Sequence, residues 1–365
     1  MCAEFRAQAD AAARAGRSQR AQRGLSLVEI MVGMIVALLV SLAASSGATV
    51  FTSSQRQGIG AGGITVNAAT ALSAIKSDAA SAGLGFFGDS AFRCTALDLS
   101  VGATLKMNAA SFAPVRITAG SGNDQLDVMS ASNVDSGANV LLKGNSDGSS
   151  ASLMSLLPVT SADVGKAVLL APGSTAGTCM VRTITAVTAA TDDTPQSLTF
   201  ANTGTYNGAT FTTPVSYVEK DRVALLDTLR WSRYSVGNDR KLTLTHPLDD
   251  SSAVLVSNVM AFRVQYGIVA TTAGATTLTG WQDATAGTIW ASVSGTDFER
   301  VRALRIGLVT RSSQREKENK NTGVCDASAS MPTLFGSTVT PDVTDWKCYR
   351  YRSAIVVVPL RNMIW

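Results

Sequence analysis

Glu29 is the only charged residue between Leu25 and Ala44, in a run that is otherwise almost wholly apolar. As a helix this run spans roughly 30 Å, about one hydrocarbon core. A carboxylate in such surroundings costs on the order of 3 kcal/mol to insert, so it marks a partner of opposite charge at similar depth. Cleavage after Gly24 would create that partner, the new α-amino group of Leu25. A terminus at the helix start cannot easily satisfy Glu29 of its own chain, whereas the terminus of a neighbouring copy or related chain can. The chemistry such a cut would allow is charge pairing between chains.

Other residue types that support catalysis or metal binding lack the necessary companions. His246 is the sole histidine and stands beside Pro247 in turn-like sequence, so no nucleophile–base pair is expected. No GxSxG, Walker A or dinucleotide fingerprint occurs, and Gly60-Ala61-Gly62 lacks the preceding strand. Asp192-Asp193 and Asp249-Asp250 read as solvated caps. Calcium at Asp124/Asp127 or Asp147 is the weaker reading, because the spacing is not that of an EF-hand. With no CxxC, a zinc site is not expected either. The chain is therefore read as a non-enzyme with no cofactor and no metal site.

Of the five cysteines, Cys2 lies in the basic head, leaving Cys94, Cys179, Cys325 and Cys348 beyond the apolar run. Four thiols allow three pairings in an oxidising compartment. Cys325 with Cys348 encloses a short polar loop and is favoured, and Cys94 with Cys179 then follows. Four buried free thiols are the alternative.

These residues must be positioned by a few elements. Residues 1–24 hold five arginines (Arg6, Arg14, Arg17, Arg20, Arg23) against Glu4 and Asp10, which accounts for +3 of the net charge of +4. A basic head before an apolar run is the arrangement of a segment held on the cytoplasmic side of a membrane. The remainder is nearly neutral and shows no basic stripe interleaved with aromatics, so no nucleic-acid partner is expected. Helix is expected to continue past the membrane, with Val66, Ala69, Leu72, Ile75 and Ala79 as one apolar stripe. Between the two helical parts, the glycines of 58–63 predict a bend or a locally melted stretch. Gly83 predicts a left-handed cap, with Phe86 and Phe87 entering the core.

Beyond that, alternation and turn residues predict strands at Gln125–Ala131, Ala167–Ala171, Met180–Thr188, Ser197–Ala201, Val215–Val218, Val223–Tyr234, Lys241–Thr245, Ala253–Ile268, Val301–Arg311 and Tyr349–Leu360. Arg311, Arg315, Lys317 and Lys320 form a basic stretch read as a solvated loop, with a partner contact as the sharper alternative.

The string Gly24-Leu25-Ser26-Leu27-Val28-Glu29 resembles the type IV prepilin processing motif. That resemblance implies cleavage after Gly24 by a prepilin peptidase, N-methylation of Leu25 and a docking role for Glu29. Leu25 departs from the commoner Phe, and the leader is longer than many. The passage Ile75 to Gly88, the segment Val259 to Gly267, the strand Val301 to Ser312 and the ending Val358-Pro359-Leu360-Arg361-Asn362 resemble the PilW family of minor pilins, in the right order.

The expected fold is α+β: a long N-terminal helix, half transmembrane and half soluble, packed on a β-rich globular domain, as in pilins and pseudopilins. The expected domains are a leader at 1–24, a helix at 25–83 whose assembly segment is 25–46, and a globular part at 84–365. The resemblance implies a minor pilin that acts in initiation of pilus assembly at or near the tip. Its implied partners are other minor and major pilins, the prepilin peptidase, the inner-membrane assembly platform and a tip adhesin, with no small-molecule substrate. The implied location is the bacterial inner membrane with the C-terminal domain periplasmic, then the extracellular pilus. A J-type pseudopilin of type II secretion is the alternative within this architecture. A membrane-anchored or secreted adhesin, cut near Ala43-Ala44-Ser45-Ser46, is the alternative of a different class.

Overall fold

The computed structural model describes residues 26–86, 94–132, 140–213, 215–271, 275, 277–293, 295–319 and 321–363. The chain divides into two compact units, 1–58 and 59–365. A helix, Leu27–Ala80, contributes residues to both.

In the first unit, Leu27–Ala48 has a mean hydropathy of 2.5 and none of its residues is buried. Those 22 residues are long enough to cross a hydrocarbon core. Ser45 and Ser46 return their hydroxyls to the carbonyls of Leu42 and Ala43, each at 2.9 Å, so neither leaves a donor unsatisfied in apolar surroundings.

The second unit is rich in strands. Its first sheet runs in the order Thr104–Ser111, Cys94–Val101, Gly177–Thr183, Ala167–Ala171, Arg222–Asp227, Val140–Leu141. The pair Cys94–Val101 and Gly177–Thr183 is parallel, and its other pairs are antiparallel. The second sheet runs Ser251–Val256, Leu242–His246, Leu229–Val236, Gln125–Ala131, Val115–Thr118, antiparallel throughout. The third runs Leu278–Gln282, Val259–Val269, Val301–Arg311, Tyr351–Pro359, also antiparallel.

The first sheet is covered on both faces, which explains its unbroken apolar strand. Along Ala167–Ala171, Ala167, Leu169 and Ala171 face the main core, while Val168 and Leu170 face a second core with Leu142, Met180, Tyr217 and Val223. Residues on a strand point alternately to opposite sides, so burial on both sides requires an apolar residue at every position.

The main core gathers the soluble part of the helix and the three sheets just described. Ile75, Leu97, Leu126, Phe262 and Leu304 lie in it, each essentially inaccessible to solvent. Ile64, Ala68, Ala71, Leu72, Ile75 and Ala79 are the buried helix positions. Val66 and Ala69, expected in the stripe, are exposed. Counting from Ile64 in steps of three and four gives the buried face, and Val66 lies about 200° around from it.

The helix also passes through 58–63 without a melted stretch. Helical hydrogen bonds satisfy the backbone there despite the glycines, each of which costs only about 1 kcal/mol. The boundary between the two compact units falls at this cluster.

Several strand expectations are corrected by turns. Residues 223–234 divide at Asp227, whose φ of 66° turns the chain out of the first sheet and into the second. Residues 253–268 divide at Asn258, at φ 60°. Residues 180–188 form two strands, and 215–218 carries only an isolated bridge from Tyr217 to Ser146.

The second and third sheets are joined through a buried carboxylate. Asp124 accepts hydrogen bonds from the Val264 N–H at 2.9 Å and from Arg263 at 3.0 Å, and its own N–H donates to the Phe262 carbonyl at 2.8 Å. Burial raises the Asp124 carboxyl above its ordinary value, opposed by the Val264 N–H and Arg263. Asp124→Ala leaves both donors without their acceptor and is expected to cost about 3 kcal/mol. Urea unfolding of the intact chain in detergent checks this, and a loss under about 1 kcal/mol would refute the joining role.

Candidate functional site

The candidate site begins just before the helix. Gly24 and Leu25, the expected processing residues, lie outside the described residues. Glu29 is exposed in the first helical turn. Its Oε2 receives the backbone N–H of Ser26 at 3.4 Å, and the Ile30 N–H donates to the Ser26 carbonyl at 3.1 Å. Ser26 thus stands at the N-cap and Glu29 at the third helical position, half of a capping box. The Ser-x-x-Glu spacing is a helix-start signature that the charge argument alone overlooked.

At 3.4 Å the capping contact is weak. A carboxylate there also meets the positive end of the helix dipole, worth about 0.3–1 kcal/mol. Glu29 is therefore held loosely by its own chain and retains acceptor capacity for a second donor. The surrounding surface is apolar and open: Leu27, Met34, Leu38 and Leu42 are each at least 65% exposed. A side chain added at Gly33 would meet nothing, so a neighbouring backbone has room to approach closely at that point.

The globular unit holds the other end of the helix with specific bonds. Tyr234 donates its hydroxyl to Asp78 at 2.6 Å. Gly83, at φ 75°, and Gly85, at φ 84°, make the turn that follows the helix, and Phe86 enters the core. Phe87 lies outside the described residues. The Gly83 N–H reaches the Met129 carbonyl at 2.9 Å, and the Ala131 N–H reaches the Leu84 carbonyl at 2.8 Å. The last carbonyls of the helix are met from the far end of the chain, where Asn362 Nδ2 donates to Ala80 at 3.2 Å and to Ala82 at 3.3 Å. The Leu-Arg-Asn ending thus serves as a helix cap supplied through tertiary structure.

Two further segments singled out in the sequence form the middle of the third sheet. Val259–Val269 and Val301–Arg311 are the central strands of the third sheet. Tyr266 accepts the Ile117 N–H at 2.7 Å and ties this sheet to the second. At Gly267 an added Cβ would lie 2.8 Å from the Trp281 ring, which requires the glycine.

Both cysteine pairings form as expected. Cys94 and Cys179 are joined with Cα atoms 5.3 Å apart, and Cys325 and Cys348 with Cα atoms 4.8 Å apart. The basic stretch is largely neutralised: Arg311 pairs with Asp342 at 3.3 Å, and Arg315 pairs with Asp345 at 2.7 Å and Glu318 at 2.9 Å. Lys317 is exposed, and Lys320 lies outside the described residues. His246 ends a strand with Nδ1 3.4 Å from the Trp231 carbonyl. Among the described residues no group of three acidic, histidine or cysteine side chains is arranged to hold a metal ion. Asp124 and Asp127 are instead bonded to Arg263 and Arg233.

Residues 211–362 match the family described as type IV pilus-assembly protein W, and residues 19–45 match the prokaryotic N-terminal methylation motif. Among solved structures, a type IV-like pilin from Thermus thermophilus aligns over 82% of this chain and 97% of that one, at 10% identity and a TM-score of 0.34. No curated protein matches the chain. Over residues 211–362 the chain is similar to the PilW family, and its N-terminal part carries a match to the prokaryotic N-terminal methylation motif.

Proposed function

We propose that this chain is a minor pilin, cut after Gly24, methylated on Leu25 and assembled into a type IV pilus through Glu29 and its apolar helix. The observation that carries the reading is the bare apolar helix Leu27–Ala48 directly behind a basic head, overlapping the methylation-motif match at 19–45. An exposed apolar surface of that length needs either lipid or other helices around it. Lipid serves before assembly, with the basic head cytoplasmic and the globular unit periplasmic. Neighbouring subunits serve afterwards, outside the cell. A role in initiation near the tip rests on the likeness to the pilus-assembly family and on the large, non-repetitive globular unit. Catalysis plays no part in this reading.

N-terminal mass spectrometry of the chain made alongside a prepilin peptidase tests it. The expected mature protein begins at N-methylated Leu25, and Gly24→Val retains the whole leader. A mature start after Ala44, which would cut within the helix, would establish ordinary secretion instead.

A further inference from the structure

Three strands of the second sheet bring a row of charges to one face. The pairing sets Arg116 beside Asp127 and Asp127 beside Arg233. Asp127 is already engaged: Arg233 Nε donates to Oδ1 at 2.7 Å, Trp231 Nε1 to Oδ1 at 2.8 Å and Gln125 Nε2 to Oδ2 at 2.8 Å. Arg116 is not among its donors. Its Nε is buried with no hydrogen-bond partner, and its side chain makes no ion pair among the described residues. The remaining cation, Lys106, is held by Asp250 at 2.9 Å. Arg233 and Lys106 are thus each matched by an acid, and the charge left uncompensated is that of Arg116.

Arg116, Arg233 and Lys106 line one cavity of 160 Å³, with Phe112, Met129 and Trp231 among its apolar walls. That is close to the volume of about 150 Å³ known to admit a benzene molecule. A buried guanidinium N–H without an acceptor has lost its water without replacement. The planar fork of arginine matches a carboxylate through two parallel hydrogen bonds.

We propose that this cavity binds a small free carboxylate with a compact apolar body, the carboxylate on Arg116 and the body against Phe112, Met129 and Trp231. It is a ligand site, not a site of turnover, and it stands independently of the assembly role.

The test is calorimetric titration of the full chain in detergent with sodium benzoate, with benzamide as the neutral shape control and inorganic phosphate as the tetrahedral control. Benzoate is expected to bind saturably at one site, and benzamide about tenfold or more weakly. Arg116→Met should weaken benzoate by a similar factor. Arg116→Lys, which keeps the charge but loses the fork, should fall between the two and also supplies the readout if Arg116→Met does not fold. Absence of saturable benzoate binding, equal binding of benzamide, or full retention of binding by both variants would overturn the proposal. Phosphate competing as well as benzoate would also overturn it, by showing a site for anions in general.

Discussion

Glu29→Gln is expected to leave cleavage and methylation intact while lowering incorporation into fibres by about a hundredfold, and at least tenfold. Glu29 has two candidate roles that this substitution separates. It accepts the Ser26 N–H at 3.4 Å and so caps its own helix. It also offers a negative charge to whatever packs against the bare helix. Glutamine at this position still accepts the Ser26 N–H, because either residue serves in a capping box. Glutamine cannot neutralise a cation.

In the unassembled chain the capping loss should be small, because glutamine keeps the Ser26 contact and the dipole interaction of the charge is worth only about 0.3–1 kcal/mol. In an assembled bundle the neighbour's terminal ammonium would be removed from water with no counter-charge. Breaking one side of a buried pair costs about 3–5 kcal/mol, and the lower end of that range corresponds to the expected factor of about a hundred. Quantitative immunoblotting of sheared fibres against total mature protein measures it. Incorporation of Glu29→Gln equal to wild type, with Glu29→Ala reduced, would assign the residue to helix capping alone.

The parts legible in the sequence were those governed by strong local patterns. The apolar run, the helix stop at Gly83 and the strands Gln125–Ala131, Ala167–Ala171 and Val301–Arg311 emerge where they were expected. The first-sheet strands Cys94–Val101 and Thr104–Ser111 were not seen, for a physical reason. Asp98 and Ser100 are fully buried in what would otherwise be an apolar face. Asp98 is retained there because it accepts the N–H of Ala109 at 2.6 Å, where Ala109 sits at φ 46° and breaks the pairing register. A polar residue that serves a bulge looks in sequence like a loop residue.

Alanine and valine occur on both faces of the helix, so periodicity alone cannot choose the buried one, and Val66 and Ala69 lie exposed. The role of Asn362 was invisible for a different reason: it caps carbonyls 282 and 280 residues earlier in the chain, which local sequence cannot reveal. The short loop closed by Cys325 and Cys348 was legible as a loop. Its packing was not: Leu334 and Phe335 would meet a Cβ at Gly307 at 2.6 and 2.8 Å, so this glycine admits the loop onto the third sheet.

The two disulfides should differ in their contribution to stability. Cys94–Cys179 closes 85 residues and Cys325–Cys348 closes 23. Loop-closure entropy alone assigns about 4–5 kcal/mol to the first and about 3 kcal/mol to the second. Position widens the difference. Cys94 and Cys179 lie in the main core and tie a parallel pair of strands in the first sheet, which no short hairpin can hold together. Cys325 and Cys348 staple a peripheral loop whose ends are also held by the Glu316 N–H to the Cys348 carbonyl at 2.7 Å and by the ion pair of Arg350 with Glu316. Cys94→Ala/Cys179→Ala is therefore expected to lose at least 4 kcal/mol and to be degraded before assembly. Cys325→Ala/Cys348→Ala should remain folded, with the loop alone opened to protease. Urea unfolding and limited proteolysis of the two double variants decide the point. Equal loss of stability in both would mean that the peripheral loop is an integral part of the core.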